Sequence, residues 1–441
     1  MTSKKQLKAK IRARMARTGE RYVAARRHVV GDAERPATAV TDHGWTLRGG
    51  QHPDSAALAN VLAHHGVTAG HTGEPVSEAL VFGLGGGLGA GYILWEFTAH
   101  DARILVLGFA ADWQYFGRFV RAAADRLGVP VDAHQTSGIR GAAGRLTQAL
   151  LAGKPSLVWP DRFRVGYWHQ PTHLDGHGGH PVVAYALDGA RVHVDDRTLA
   201  PLTVPAATLD DARDRVVSYK NLLLTPRPDA GEIPADRLRE QVRSAAAACA
   251  ARLAGTSASF ALPAWRKWGR TMTDARNAKG WPKVFADRRG LVGALLSIWE
   301  GVEPMGMAGG HLRGLYADFL DEAADLTGTP ALYEVAARFR DIAADWHTLA
   351  ETAVPASGPT FGRMRELTST ISESVFADGD TGAEDAAAAA GELWSLRAEH
   401  DRTCPLSDGE IESLFAAVGK QVTGLYEAEL AAVRRLAAAL E

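Results

Sequence analysis

The sequence predicts an α/β or α+β layer domain over residues 44–225, followed by an all-α domain over 236–441. Three observations carry this. Between Gly44 and about Thr225, short apolar runs alternate with helical patterns, as layered folds require. Beyond Leu238 the runs give way to Leu and Ala at three- and four-residue spacings, the mark of helices packed on helices. Between the two, Thr225-Pro226-Arg227-Pro228-Asp229-Ala230-Gly231 has the composition of a connector, and 226–235 is assigned as a linker. A chain of 441 residues has room for two or three such domains with substantial cores.

Composition narrows the function classes. The formal net charge is −2, so no global charge argues for nucleic acid or a membrane surface. No apolar run approaches the roughly 20 residues of a membrane span, and the N-terminus lacks the apolar segment of a secretory signal. Cys249 and Cys404 stand far apart, each without Cys or His at metal-site spacing. A disulfide framework is not expected, and a cytoplasmic protein is. Residues 1–43 form a basic arm and connector. Lys4 to Arg27 holds ten Lys or Arg against the single acid Glu20, with Leu7, Ile11 and Met15 four apart. Such a helix could meet RNA, an acidic carrier protein or an anionic surface. The favoured reading is a solvated helix docking its thin stripe on the body, because the aromatic and glycine interleaving of RNA-binding modules is absent.

The elements follow in order. Gln51 to Gly66 reads as a loop turning into a short helix: Pro53 suits the first helical position, Leu58, Val61 and Leu62 form the inward stripe, and Gly66 closes it. A polar loop spans Thr68 to Pro75. Ser77 to Leu84 leads into the run Gly85-Gly86-Gly87-Leu88-Gly89-Ala90-Gly91-Tyr92. Arg103 to Ala110 is a buried strand, and Trp113 to Leu127 and Gly138 to Leu151 are helices. Ser156 to Trp159 is a strand; Pro181 to Leu187 and Arg191 to Asp195 pair around Asp188-Gly189-Ala190. Leu209 to Val216 is helical, and Tyr219 to Thr225 closes the domain. In the second half, Leu238–Ala254, Leu291–Trp299, Leu312–Leu326, Leu332–Ala350, Ala383–Glu399 and Ile411–Leu440 read as helices. Trp265, Trp268, Trp299, Phe319 and Trp346 are their expected core. No internal repeat has a fixed period.

Two stretches carry chemistry. The start of the 51–66 helix offers free N–H groups and a positive dipole end. Cysteine hydrolases and acyltransferases place their nucleophile at such a point, where the field lowers a thiol's pKa. No thiol is present in this stretch. The second stretch runs Trp168-His169-Gln170-Pro171-Thr172-His173-Leu174-Asp175-Gly176-His177-Gly178-Gly179-His180. No histidine spacing matches a zinc pattern, so no metal and no cofactor are assigned. Gly178-Gly179 deliver His180 to the start of a strand whose hairpin partner ends in Asp195-Asp196, which gives a base and a group to orient it. The alternative is a structural His–carboxylate pair at a hairpin mouth. The 82–92 glycine run lacks the Lys-Ser/Thr of a phosphate loop and follows a helix. It is read as a packing turn that brings backbone close to a substrate, through Gly85, Gly86 and Gly87.

The segment from Gly50 to about Thr225 resembles the N-terminal domain of the butirosin biosynthesis protein H family. The matching pieces are Gln51-His52-x-x-Ser55 with its helix, Ser77-Glu78-Ala79, Phe82 to Gly89, Gly178-Gly179-His180 and Val194-Asp195-Asp196-Arg197. The helical half resembles the domain of unknown function that commonly follows, notably in Gly309-Gly310-His311-Leu312-Arg313-Gly314-Leu315-Tyr316-Ala317-Asp318-Phe319-Leu320. The resemblance implies an α+β, papain-like cysteine-hydrolase or acyltransferase-type domain, with His180 as base and Asp196 as its orienting group, Asp195 being the fallback. In butirosin biosynthesis that protein moves an acyl group from a carrier-protein thioester to an aminoglycoside amine. The family's cysteine belongs where this sequence has Pro53, which has no nucleophile. Ser55 should lie a turn into the helix and point elsewhere, and Cys249 and Cys404 are read as inert.

Three functions follow. In the first, an acyltransferase works without a covalent intermediate: His180 deprotonates an amine that attacks a bound thioester, while the Gln51 side chain and helix-start N–H groups receive the oxyanion. His52, Asp54, Ser55 and Gly85–Gly87 would bind substrate, together with Trp168 and His177. The partners would be a carrier-protein or other thioester donor and an amine-bearing small molecule or peptide, with room for a homodimer. In the second, a silent pseudoenzyme binds a small molecule, peptide or partner enzyme. In the third, the basic arm makes an RNA- or carrier-associated accessory factor.

Overall fold

The computed structural model describes residues 43–97, 102–229, 231–303 and 312–441. The basic arm and its connector, apart from His43, and the residues Gly309 to His311 of the helical-domain motif lie outside the described residues. Helix α1, Pro53–His64, starts on Pro53 with His52 as its N-cap. Strand β1 (Val67–Ala69) follows, and then α2 (Glu78–Leu84), capped by Ser77, whose hydroxyl accepts from the Leu80 N–H. Strands β2 (Leu88–Phe97) and β3 (Ala102–Ala110) form a two-stranded antiparallel hairpin. After α3 (Arg118–Leu127) come β4 (Val131–His134), α4 (Ile139–Leu151), β5 (Ser156–Val158) and the single turn α5 (Arg162–Val165). Next are β6 (Val182–Asp188), β7 (Arg191–Asp195), β8 (Leu202–Pro205), α6 (Ala206–Arg215) and β9 (Leu223–Pro226).

These strands form a six-stranded sheet in the order β4-β9-β5-β6-β7-β8, every neighbour antiparallel. With its helices this is an α+β arrangement. The β6–β7 hairpin expected around Asp188-Gly189-Ala190 is present and pairs Val183 with Asp195. Several expected boundaries move. The strand over 103–110 joins β2 and not the large sheet. The helix expected from Trp113 begins at Arg118, because Asp112 and Gly117 take left-handed backbone angles (φ 53° and 70°) that interrupt it. The polar loop after α1 contains β1. The stretch expected to be a linker contains strand β10, Gly231–Ile233, which pairs with β1 in parallel.

The second half consists of α7 (Ala235–Leu253), α8 (Pro263–Thr273), α9 (Trp281–Val284), α10 (Leu291–Val302), α11 (Arg313–Thr327) and α12 (Ala331–Ala353). These are followed by α13 (Pro359–Glu373), a π-helical turn at Ser374–Asp378, α14 (Ala383–Arg402) and α15 (Asp408–Leu440). Helices α8, α9 and α13 were not anticipated. Each has Pro at its first or second position, where the missing N–H does no harm, and proline in sequence reads as a breaker.

One apolar core runs through both halves. The β2–β3 hairpin is embedded among the helices: Tyr92 stacks on Trp268, and Phe109 meets Trp265 and Trp346. At the centre lies a fully buried ion pair, Arg313–Glu429 at 2.8 Å. Arg313 also donates to the carbonyls of Gly89 and Phe109, and Trp346 donates to Glu429 at 2.7 Å, so one network ties α11, α12 and α15 to the hairpin. Such a pair adds little net stability over an apolar substitute, yet losing one partner is costly.

Candidate functional site

The start of α1 is held from below by one carboxylate. Glu78, in the first turn of α2, accepts the Gln51 N–H at 3.0 Å and the His52 N–H at 2.8 Å, and the Ser55 hydroxyl stands 3.2 Å from it. Burial raises the Glu78 carboxyl, and these donors pull it back. The His52 ring sits between Phe82 and Phe119 at 5.2 and 4.8 Å, and its Nδ1 takes the Ser55 N–H as N-cap. Burial, then Arg197 and His180, lower His52 to about 3, so it is neutral at physiological pH.

His180 and Asp196 meet. Nε2 of His180 lies 2.7 Å from Asp196 Oδ1, while its buried Nδ1 has no hydrogen-bond partner. Asp196 Oδ2 accepts from the Tyr167 hydroxyl at 2.9 Å and from the Trp168 indole at 3.2 Å. Arg197 bridges Asp196 Oδ1 and the Gln51 carbonyl, and its guanidinium covers Phe376 from the π-helical turn at 4.8 Å. Asp195 ends strand β7, where consecutive side chains point to opposite faces, and the backbone turns left-handed at Arg197 (φ 59°). Asp195 thus turns the other way, to Trp45, Asn60 and the Thr198 N–H. Burial alone would raise Asp196; His180, then Arg197 and Arg162, overcome it and hold the carboxyl far below its usual range. His180 is lowered to about 4, by burial first and with Asp196 opposing. Asp195, with burial dominant, rises to about 6.

A cavity of about 460 Å³ opens between these groups. His52, Pro53 and Asp54 from the α1 start, and His177 to Pro181 from the glycine-rich loop, form one side. Residues 106–116, Phe119, Trp159, Arg162, Tyr219 and Leu312 complete it. The α1 start and His180 therefore face one space.

Six of the residues expected to meet substrate do not border this cavity. Gln51 is exposed and tied by its backbone to Glu78 and Arg197, and Ser55 is fully buried beneath the helix start. Trp168 lies behind Asp196, as a support for the carboxylate and not a substrate wall. Gly85, Gly86 and Gly87 are internal packing positions: a Cβ there would meet Phe119, Ala111 and Tyr316 at 2.2, 2.8 and 2.6 Å. The run brings helix and hairpin together. The oxyanion role expected of helix-start N–H groups also needs correction. Gln51 and His52 donate to Glu78, Ser55 donates to its cap, and Pro53 has no N–H. Sequence reasoning missed Tyr167, Arg162, Glu78 as a clamp and the aromatic wall Trp113, Tyr115 and Phe116. Of these, only Glu78 stood in a quoted motif.

Among the described residues, no group of three or more His, Cys, Asp or Glu is placed to hold a metal ion. No helix among them is long and apolar enough to cross a membrane. Cys249 is buried, its thiol directed at the Leu88 carbonyl at 3.8 Å, away from the cavity wall. The family model described as butirosin biosynthesis protein H, N-terminal, matches residues 52–197, and that for a domain of unknown function matches 229–375. The chain belongs to the butirosin biosynthesis protein H-like family. At the level of this family, the match hints at an acyl-transfer-like function related to butirosin biosynthesis. No curated protein matches the chain.

Proposed function

We propose that this chain transfers an acyl group from a thioester, carried by a carrier protein or a smaller thiol, directly to an amine. The single observation that carries the reading is His180: anchored through Nε2 on Asp196 and with its Nδ1 unpartnered, it borders the cavity that also meets the α1 start. A helix start facing a His–Asp pair on an antiparallel sheet is also what a papain-like arrangement would supply. His180 is neutral above pH about 4, so its base form prevails at neutral pH. Nδ1 takes the amine proton as nitrogen attacks the thioester carbonyl, and the same proton leaves with the departing thiol. The cavity contributes by holding both reactants in contact, which can replace much of what a covalent intermediate would supply.

The test uses butyryl-N-acetylcysteamine as donor and glucosamine as acceptor, with amide formation followed by mass spectrometry. His180→Ala should lower turnover by about 10²–10⁴-fold, the usual range for a lost general base, with the circular dichroism spectrum unchanged. Unaltered turnover removes His180 from the reaction. A second reading, a silent pocket that only binds, is favoured by the clamped helix start and the proline at position 53. It requires ligand uptake that survives His180→Ala and no amide product.

A further inference from the structure

We propose that the Asp54 carboxyl is a catalytic acid: in its protonated form it donates to the acyl carbonyl oxygen, in place of the amide donors that the α1 start has lost. This rests on the acyl-transfer reading above. Most backbone donors at this helix start are taken. The amides of Gln51 and His52 end on Glu78, position 53 is an imino acid, and the Ser55 N–H serves the His52 ring. A tetrahedral oxyanion formed above Pro53 would therefore find the amides of Gln51, His52 and Ser55 already engaged.

The Asp54 side chain lies on the wall of the cavity that His180 borders. Asp54 follows Pro53 in the first turn, with a side chain about one-fifth exposed. The nearest polar atom of His52, Nε2, is 3.8 Å from Asp54 Oδ2, beyond a hydrogen bond. The charged and titratable groups facing it are His52 from the cap, Arg197 after β7, His180 before β6 and Tyr219 after α6. Arg162 and Asp112 complete them from elsewhere on the cavity wall. Burial outweighs Arg197 and raises the carboxyl from 3.8 to about 7, so a large share is protonated at neutral pH. A carboxylic acid kept neutral in an apolar site can act as such a donor.

The step balances. The amine nitrogen bonds to the carbonyl carbon, its proton passes to His180 Nδ1, and the Asp54 proton moves to the carbonyl oxygen. On collapse the oxygen returns that proton to Asp54, the C–S bond breaks, and the thiolate takes the proton from His180. Thioester and amine become amide and thiol, with both side chains restored.

Two measurements test this. In the thioester assay, Asp54→Ala should lower kcat about 10²–10³-fold with KM little changed, as when a donor to the oxyanion is lost. In the wild type kcat should fall as pH rises through about 7, and in Asp54→Asn that alkaline limb should disappear. A kcat within about 3-fold of wild type in Asp54→Ala, or a limb that persists in Asp54→Asn, overturns the proposal. The second measurement needs no turnover. A pantetheine-derived methyl ketone, ¹³C-labelled at the carbonyl, is bound and its C=O stretch recorded at pH 5.5 and 8.5. The stretch should shift to lower frequency at pH 5.5 only, and not in Asp54→Ala or Asp54→Asn at the lower-pH intensity. A polarised ketone without amide formation refutes acyl transfer and keeps the donor. Amide formation with an unpolarised ketone refutes the donor and keeps acyl transfer, and failure to take up the ketone at millimolar concentration overturns both.

Discussion

Replacing Asp54 by asparagine should make the protein more stable, and only above the pH at which the aspartate would have to ionise. In the folded chain the carboxyl is raised from 3.8 to about 7, chiefly by burial. Between those values the folded state holds a proton that the unfolded state has released. Stability therefore falls as pH rises through this window. A displacement of about three pH units corresponds to about 4 kcal/mol at 1.36 kcal/mol each. A negative charge at a helix start recovers about 0.3–1 kcal/mol, which leaves about 3 kcal/mol. Asp54→Asn has no such titration. Urea unfolding followed by tryptophan fluorescence should give equal stabilities for the two proteins near pH 4. Above pH 8 the asparagine variant should lead by about 3 kcal/mol. A difference that is constant with pH, or an asparagine variant less stable at pH 8.5, refutes the placement of this carboxyl in a dry cavity.

Three further outcomes are expected. Glu78→Ala leaves the amides of Gln51 and His52 without their acceptor; only the His52 amide is away from solvent, so the cost should be about 1–3 kcal/mol, read as a lowered urea midpoint. Gly83→Ala places a Cβ 2.1 Å from the Phe319 ring where α2 meets α11; overpacking there should cost about 1–3 kcal/mol or more, measured as a fall in Tm. Arg313→Met strands the buried Glu429 and should cost about 3–5 kcal/mol, and a variant as stable as wild type in chemical denaturation contradicts the network at the core.

Much of this was legible in the residues, for identifiable reasons. Strand alternation around a tight Asp-Gly turn placed the β6–β7 hairpin, and Pro53 with Gly66 bracketed α1, because these signals are local. The juxtaposition of His180 and Asp196 followed from the same hairpin. The glycine run was misread: its small residues answer to Phe119 and Tyr316, and Tyr316 lies more than two hundred residues later, beyond any local pattern. The engagement of the helix-start amides had no local signal, since the Glu78 clamp on the Gln51 backbone forms only when α2 packs beneath α1. Tyr167 and Arg162 sit in a loop and a single helical turn. Neither carries a periodic signal. Asp195 and Asp196 point to opposite sides by ordinary strand alternation, which the hairpin register alone does not assign to one of them.

The vacated position itself offers the most direct trial. Pro53→Cys puts a thiol on the first residue of α1, on the cavity wall shared with His180 and in the field of the helix start. Incubated with butyryl-N-acetylcysteamine alone, this variant should gain one butyryl group, mapped by peptide mass spectrometry to position 53, while the Pro53→Cys/His180→Ala double variant acylates far more slowly. A thiol at that position that titrates at or above about 8.5, as a free cysteine does, and is not acylated would mean that His180 and Asp196 do not serve the space above the helix start.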